Sequence, residues 1–349
     1  MAFSVVIPTF EMQSHLEALW QSLCAAGVTQ AAEEIVFVDD GSRDETASVL
    51  DAIAARPEAA GKLRVLRLPE NVGRFEARRR GAAAARSENV LFLDTRLTLP
   101  EDFAKALLRA VATYPAIVGA VDIDTRKNRF CLYWDRSHKL IFRKHYAKAH
   151  APIVLTPENF DDFLKGTGVF YCPRELFLRA CEAFEGQDLL SDDTFLMRRM
   201  VEECPITVHP DVRVSWVPRE TFREFVWRIW DRGPGFVEYH VFERRGLFFW
   251  VTTGALAASG AVLVLCVVAP PVGFSLAGAG LLAIGASTAL LAKSPRELVA
   301  LLPIHTAVTL AFGAGAVRGI WVSLKKRAGG QPAAGEAGRS TTSATSANA

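Results

Sequence analysis

Hydrophobic and polar positions divide the chain into two parts of different character. Up to residue 246, short apolar runs alternate with longer stretches in which apolar residues recur every three or four positions. The short runs are typical of buried strands, and the longer spacing is typical of amphipathic helices. Beyond residue 246, the uncharged runs lengthen to 20 residues or more. We therefore predict that the first part folds in water and that the second part enters a membrane.

The alternation in the first part predicts a parallel sheet. Strands are predicted at residues 3–9, 34–39, 63–68 and 89–94, and helices at 12–25, 45–55, 74–86 and 194–201. This order indicates an α/β fold with helices on both faces of the sheet. Ligands of such sheets bind beyond the carboxyl ends of the strands. Because two strands end in acids, at Asp39-Asp40 and at Asp94, we expect a site at this edge; the alternative is that these acids belong to turns or cap helices.

Three other features exclude common classes of site. No GxGxxG follows the first strand and no GxxxxGK[ST] occurs, which disfavours a Rossmann dinucleotide site and a P-loop. A formal net charge of +2 gives no reason to expect nucleic-acid binding. The six cysteines form no CxxC pair, so we expect neither a zinc site nor a disulfide framework.

The second part contains three uncharged stretches, at residues 247–269, 272–292 and 298–317. A helix needs about 20 apolar residues to cross a bilayer, so the first two stretches are predicted to span it. Pro303 and His305 interrupt the third stretch, which either crosses or forms a re-entrant or interfacial segment. All three are rich in small residues that allow close helix packing in lipid, so a homo-oligomer is also expected.

Basic residues at the ends of these stretches predict the orientation. Arg244 and Arg245 precede the first stretch, which places residues 1–246 in the cytoplasm of a multi-pass membrane protein. A third crossing would put the basic residues 325–327 outside, against the same rule. The number of crossings therefore stays open at two or three.

Six sequence pieces stand out by their order and spacing. They are Val5-Val-Ile-Pro-Thr-Phe10, Val38-Asp-Asp-Gly-Ser-Arg-Asp44, Asn71-Val-Gly73 with Ala77-Arg78 and Gly81, Leu91-Phe-Leu-Asp94, Gly166-Thr-Gly-Val-Phe170, and Ser191-Asp-Asp193 continuing to Arg232-Gly233. Together these pieces resemble family 2 glycosyltransferases. The resemblance covers residues 3–236. It implies a GT-A fold, a nucleotide-activated sugar as donor and inversion at the anomeric carbon.

The resemblance also implies which residues form the site. Those expected at the nucleotide are Pro8, Thr9, Glu11, Asp39, Asp40 and Arg78, with Asp40 on the base. Asp94 matches the first acid of an Asp-x-Asp motif, which holds ribose and a Mn²⁺ or Mg²⁺ on the diphosphate. Asp193 matches the acid that deprotonates the acceptor hydroxyl, and Asp192 is the alternative base; both also suit a helix N-cap. Arg232 matches a late motif near the diphosphate.

The metal motif departs from the family pattern, because Arg96 stands where the second acid is expected. A hard divalent cation needs oxygen ligands, which Arg96 cannot supply. Arg96 either neutralises the diphosphate directly through its guanidinium, or it folds away and leaves Asp94 to hold the cation with waters. The Gln-x-x-Arg-Trp signature of processive synthases is also missing, which disfavours a polymerase of the cellulose type.

A basic stretch at residues 126–148 has three interpretations. It forms a solvated face, attracts anionic lipid, or docks an acidic lipid-linked acceptor. Residues 217–246 interleave basic and aromatic side chains, which is typical of an interfacial amphipathic helix.

These observations predict four regions and one principal function. The regions are a GT-A domain (1–216), an amphipathic juxtamembrane segment (217–246), two or three transmembrane helices (247–323) and a disordered tail (324–349). The predicted function is transfer of one sugar from a nucleotide-sugar, with UDP favoured over GDP, to a lipid-linked or polysaccharide acceptor at the membrane. The alternatives are transfer to polyprenyl phosphate itself, and a degenerate nucleotide-sugar-binding scaffold.

Overall fold

The computed structural model describes residues 2–187, 189–244 and 246–329. Arg245 and the part of the predicted tail from residue 330 onward lie outside the described residues. The described chain forms two compact units. The first comprises residues 2–124, 142–185 and 193–217, and the second comprises the described residues of 125–141, 186–192 and 218–329.

The regular elements agree with the predicted alternation of strands and helices. The described strands are β1 (Phe3–Thr9), β2 (Glu34–Asp39), β3 (Leu63–Arg67), β4 (Asn89–Leu93), β5 (Leu97–Thr98), β6 (Ile117–Asp122), β7 (Ile153–Leu155), β8 (Val169–Pro173) and β9 (Ile206–Trp216). The described helices are α1 (Gln13–Ala25), α2 (Val28–Ala31), α3 (Thr46–Ala54), α4 (Arg74–Ala84), α5 (Phe103–Val111), α6 (Arg129–Ile141), α7 (Arg143–Lys148), α8 (Arg174–Glu182), α9 (Asp192–Glu203), α10 (Phe222–Val237), α11 (Leu247–Val268), α12 (Pro270–Leu291) and α13 (Pro295–Ala328).

The strands of the first unit form one mixed sheet in the order β3-β2-β1-β4-β8-β6-β9-β5, with β7 also paired to β9. The first four strands in this order are parallel, as the sequence predicted. Strand β8 runs antiparallel to β4 and β6, which the sequence did not predict. The carboxyl ends of β1, β2 and β4 therefore meet at one edge of the sheet.

Two hydrophobic clusters cover the two faces of the sheet. In β1, Val5 and Ile7 belong to one cluster and Val6 to the other, because successive side chains of a strand point to opposite faces. Helices α1, α3 and α5 complete the first cluster, and α4, α8 and α9 complete the second. The sheet is thereby buried on both faces, and the edge with the strand ends is left for a site.

The second unit is helical and has its own core, in which Tyr133 of α6 and Phe225 of α10 pack with Leu301 of α13. Within the described residues, α11, α12 and α13 are each long and apolar enough to cross a membrane, by length and composition. Helix α13 continues without a break through Pro303, where the sequence predicted an interruption. It packs closely on α10, since a Cβ on Gly233 would come within 2.3 Å of the backbone of Gly315.

Candidate active site

Two buried acids at the carboxyl end of β2 hold the neighbouring loops. The Oδ1 atom of Asp39 accepts a hydrogen bond from the amide of Ser42 (3.1 Å). The carboxylate of Asp40 accepts hydrogen bonds from the amides of Val72 (2.8 Å) and Gly73 (3.0 Å). Burial raises the pKa of Asp40, although these two hydrogen bonds oppose the rise. Asp40 therefore fixes the loop that leads into α4.

The end of β1 lies against the same acids. Thr9 pairs in register with Asp39, and its carbonyl accepts a hydrogen bond from the amide of Asp40 (2.8 Å). Glu11 follows with a positive φ of 51°, and its amide donates to the hydroxyl of Ser42 (3.0 Å). The predicted nucleotide residues that the structure gathers at this edge are Pro8, Thr9, Glu11, Asp39 and Asp40.

Arg78 connects the end of a strand with the start of a helix. It lies on α4, which packs so closely on the sheet that a Cβ on Gly81 would come within 2.4 Å of the Val6 side chain. Its side chain is only 4% exposed. Nη2 donates to Oδ1 of Asp94 (2.9 Å), directly after β4, and Nη1 donates to Oδ1 of Asp193 (3.0 Å), near the start of α9. One buried cation thus holds two predicted site acids.

Asp193 has a second hydrogen-bond donor, Thr167. The buried Thr167 hydroxyl donates to Oδ1 of Asp193 (2.7 Å), the same oxygen that Arg78 binds. Burial alone would raise the pKa of Asp193, but the positive charges of Arg78 and Arg74 outweigh it and hold that pKa well below its ordinary value. The side chain of Asp193 is 30% exposed, whereas Asp192 is buried. Asp193 is therefore the more accessible of the two predicted bases.

Thr167 was not among the residues predicted from sequence. It lies between two glycines in the matched piece Gly166-Thr-Gly-Val-Phe170, which was the available signal for a role at the site. Its hydroxyl contacts Asp193 only because β8 and α9 come together in the folded unit.

Asp94 presents a half-exposed carboxylate beside β8, with 48% of its side chain exposed. Its amide donates to the carbonyl of Gly168 (2.9 Å), and a Cβ on Gly168 would come within 2.9 Å of its Oδ2 atom. Across the described residues, no group of three or more His, Cys, Asp or Glu side chains converges as a metal site. Magnesium is commonly held by one or two carboxylates together with substrate phosphates and waters. A single carboxylate such as that of Asp94 is sufficient for that mode of ligation.

Arg96 is tied to the segment that comes after β9. Its Nε donates to the carbonyl of Val217 (3.2 Å), and the amide of Val217 donates to the carbonyl of Arg96 (2.8 Å). At least one guanidinium donor of Arg96 is therefore used within the first unit.

Arg232 belongs to the second unit. Its guanidinium carbon lies 4.4 Å from the ring centroid of Trp134 on α6, a cation–π contact. The basic stretch is partly neutralised by acids within each unit, since Lys139 pairs with Asp135 (2.7 Å) and Lys144 pairs with Asp162 (2.9 Å).

Comparison with known protein families identifies sequence relatives of the chain. The family model described as Glycosyl transferase family 2 matches residues 4–183. The chain is 33% identical over 127 residues to an undecaprenyl-phosphate 4-deoxy-4-formamido-L-arabinose transferase of Sodalis glossinidius, covering 36% of this chain and 37% of that protein. It is 35% identical over 97 residues to a dolichyl-phosphate beta-glucosyltransferase of Drosophila melanogaster, covering 26% and 29%. The matched stretches span about a third of the length of these curated relatives.

A solved structure shows the same fold over most of the chain. It is a mannosyltransferase from Pyrobaculum calidifontis in complex with GDP-Man and Mn²⁺, with a TM-score of 0.59 and 19% identity. The similarity covers 91% of this chain and 87% of that one. The GT-A fold predicted from the sequence is confirmed.

Proposed function

Because the chain belongs to glycosyl transferase family 2, we propose that it transfers a sugar from a nucleotide-sugar to a polyprenyl phosphate at a membrane surface. Two relatives support this acceptor, since their names specify undecaprenyl phosphate and dolichyl phosphate. The three long apolar helices support a membrane-associated acceptor. UDP-sugar is the first donor to test and GDP-sugar is the second.

The observation that carries this proposal is the pairing of Asp193 with Arg78 and Thr167. General-base catalysis on a hydroxyl acceptor is most efficient when the pKa of the base lies near the working pH. The pKa of Asp193 is lowered, so its carboxylate is a weak base. A phosphate monoester loses its second proton at a pH of about 6 and is already a nucleophilic anion at neutral pH. An acceptor of this kind requires no base from the protein.

The proposed reaction is a single displacement. An oxygen of the acceptor phosphate attacks the anomeric carbon, the bond from that carbon to the donor diphosphate breaks, and the nucleoside diphosphate leaves with the electron pair. Such a displacement inverts the anomeric carbon. In this proposal, Asp193 and Asp94 hold the Arg78 guanidinium in one place, so that its N–H donors keep a fixed position near the leaving diphosphate.

The other site residues receive roles from the same geometry. We assign the loops held by Asp39 and Asp40, together with Pro8, Thr9 and Glu11, to the nucleotide. Arg96 and Arg232 remain proposed contacts of the diphosphate. Asp94 would hold a divalent cation together with diphosphate oxygens and waters, and that cation would supply further positive charge to the leaving group.

For the membrane part, we propose two crossings, by α11 and α12, with residues 1–246 in the cytoplasm. These helices are joined by Ala269 alone, so the second returns the chain to the side on which the first begins. Three residues separate the end of α12 from the start of α13. Its other end lies beside the segment just before α11, where Lys326 pairs with Glu238 (3.5 Å). In this proposal, both ends of α13 lie on the cytoplasmic side of the membrane, which agrees with the basic residues at its C-terminal end.

The test uses the full chain purified in detergent, with undecaprenyl phosphate and a panel of radiolabelled UDP- and GDP-sugars. We expect a lipid-extractable labelled product with one donor, its loss in EDTA and its recovery with Mn²⁺ or Mg²⁺. Asp94→Asn should lose the metal response. Donor binding without transfer under every condition would instead support the nucleotide-sugar-binding scaffold.

A further inference from the structure

A buried carboxylate in the second unit holds the segment that leads into α9. Glu238 lies at the start of a π-helical turn, Glu238–Glu243, directly after α10. Its Oε2 atom accepts hydrogen bonds from the backbone amides of Leu190 (2.8 Å) and Ser191 (3.0 Å). The Glu238 side chain is 12% exposed. A single carboxylate oxygen therefore anchors two successive amides.

Helix α10 contacts the Leu190–Ser191 segment at a second position, Gly235, three residues before Glu238. A Cβ on Gly235 would come within 2.7 Å of the Leu190 carbonyl oxygen and 3.5 Å of the Ser191 Cα. The backbone of α10 and the backbone of the segment are thus in direct contact, which no other residue type at position 235 would permit without a shift. Glu238 and Gly235, three residues apart, form one continuous anchoring surface.

The charge of Glu238 is balanced from α13. Burial raises the pKa of Glu238, and the Lys326 ammonium 3.5 Å away, together with the two amide hydrogen bonds, opposes that rise. The Glu238 carboxylate therefore connects its own turn after α10 with two other segments, the end of α13 and Leu190–Ser191.

The anchored segment leads directly into the helix that carries Asp193. Helix α9 begins at Asp192, immediately after Ser191, and Asp193 is its second residue. We infer that Glu238, supported by Gly235, is a positioning residue that fixes the start of α9 and thereby the Asp193 carboxylate that pairs with Arg78. The inference rests on the proposed function only in assigning Asp193 to sugar transfer.

Hydrogen–deuterium exchange tests the anchoring without any assay of activity. In the full-length protein, Glu238→Ala should speed exchange of the Leu190 and Ser191 amides by about 10-fold or more, because each loses its acceptor. Glu238→Gln retains a carbonyl oxygen that can accept these hydrogen bonds. Its exchange rates at the two amides should lie between those of the wild type and those of Glu238→Ala. The matched control is Glu243→Ala, which removes a carboxylate of the same π-helical turn that pairs with Arg327 (3.6 Å). Unchanged exchange of the two amides in Glu238→Ala would overturn the inference.

Transfer kinetics test the consequence for the site. We expect Glu238→Ala to lower kcat by about 10-fold to 100-fold, the cost of displacing the Asp193–Arg78 pair in the site by about 1 Å. The donor KM should change less than kcat, since the nucleotide is assigned to the loops of Asp39 and Asp40 rather than to this segment. A variant with faster amide exchange but wild-type kcat would refute a positioning role. A wild-type protein that shows the exchange pattern without any transfer would refute the proposed function and leave the anchoring intact.

Gly235→Ala provides a second, independent perturbation should Glu238→Ala not fold. It keeps every charge and should reproduce the loss of kcat, because the added methyl must displace Leu190. Its matched control is Gly246→Ala, since a Cβ on Gly246 would meet nothing within 4 Å. Equal kcat values for the two alanine variants would contradict the inference.

Discussion

The Nη1 atom of Arg78 lies 3.0 Å from Oδ1 of Asp193, although 115 positions separate the two residues in the chain. The other terminal nitrogen of Arg78 binds Asp94 at 2.9 Å. This arrangement joins the end of β4, the middle of α4 and the start of α9 through one buried guanidinium. It also explains why the pKa of Asp193 is lowered.

Thr167 should contribute to the position and charge of Asp193. Thr167→Val keeps the shape of the side chain but removes the hydroxyl that donates to Asp193 at 2.7 Å. A hydrogen bond to a charged group contributes about 1.5–3 kcal/mol, so we expect transfer to fall by about 10-fold or more. Thr167→Ser, which restores the donor, should recover most of the activity. Equal kcat/KM values for the Val and Ser variants would show that the hydroxyl has no role.

Gly168 and Gly166 form a matched pair on either side of Thr167. A methyl on Gly168 would come within 2.9 Å of Oδ2 of Asp94, whereas a methyl on Gly166 would lie 4.0 Å from Asp193. Gly168→Ala must therefore displace the Asp94 carboxylate, and we expect a loss of about 100-fold in kcat for a shift of about 1 Å. Gly166→Ala makes only an ordinary contact and should stay close to the wild type. The measurement is initial-rate kinetics on both variants; a reversed order of their activities would contradict this view of the site.

Much of the first unit could be predicted because its signals are local. Apolar runs located β1 to β4, and the acids Asp39, Asp40 and Asp94 end those strands or come directly after them. Because parallel strands end at one edge of a sheet, these acids could be placed together without knowledge of any contact. The order of the motif pieces then indicated the GT-A fold.

The remaining features depend on contacts between distant segments. Strand β8, which runs antiparallel to β4 and β6, carries no local signal of its direction, so the sequence predicted only a parallel sheet. The pairing of Arg78 with Asp193 and the hydrogen bond from Thr167 require α4, β8 and α9 to be packed together. Likewise, Pro303 suggested a break in the third apolar stretch, yet α13 is continuous through it and packs closely on α10.

The pH dependence of transfer should report the acceptor rather than Asp193. A carboxylate whose pKa is lowered in the folded state loses its charge only when the pH falls through that lowered value, so Asp193 stays ionised at any pH above about 5. The acceptor phosphate gains its second charge as the pH rises through about 6. We therefore expect kcat/KM for the acceptor to rise between about pH 5 and 7 and then level off. A flat profile across this range would contradict a phosphate nucleophile.

The two-crossing topology predicts where the end of α13 lies. A fluorescent protein that folds only in the cytoplasm, fused after the last residue of the full chain, should fluoresce. The same reporter inserted at Ala269, between α11 and α12, should not, because that connection lies on the opposite side. A third fusion, with the reporter before the first residue, serves as the control and should fluoresce. If it does while the C-terminal fusion does not, α13 crosses the membrane as well.

Two lipid acceptors that differ only in the phosphate distinguish a phosphate nucleophile from a hydroxyl nucleophile. The purified full chain would receive the same labelled nucleotide-sugar with either a polyprenyl phosphate or the corresponding polyprenol. We predict transfer to the phosphate and none to the alcohol, because Asp193, whose pKa is lowered, is a poor general base for a hydroxyl group. Transfer to the polyprenol, or to a lipid-linked sugar but not to the polyprenyl phosphate, would contradict this mechanism and restore Asp193 as a general base.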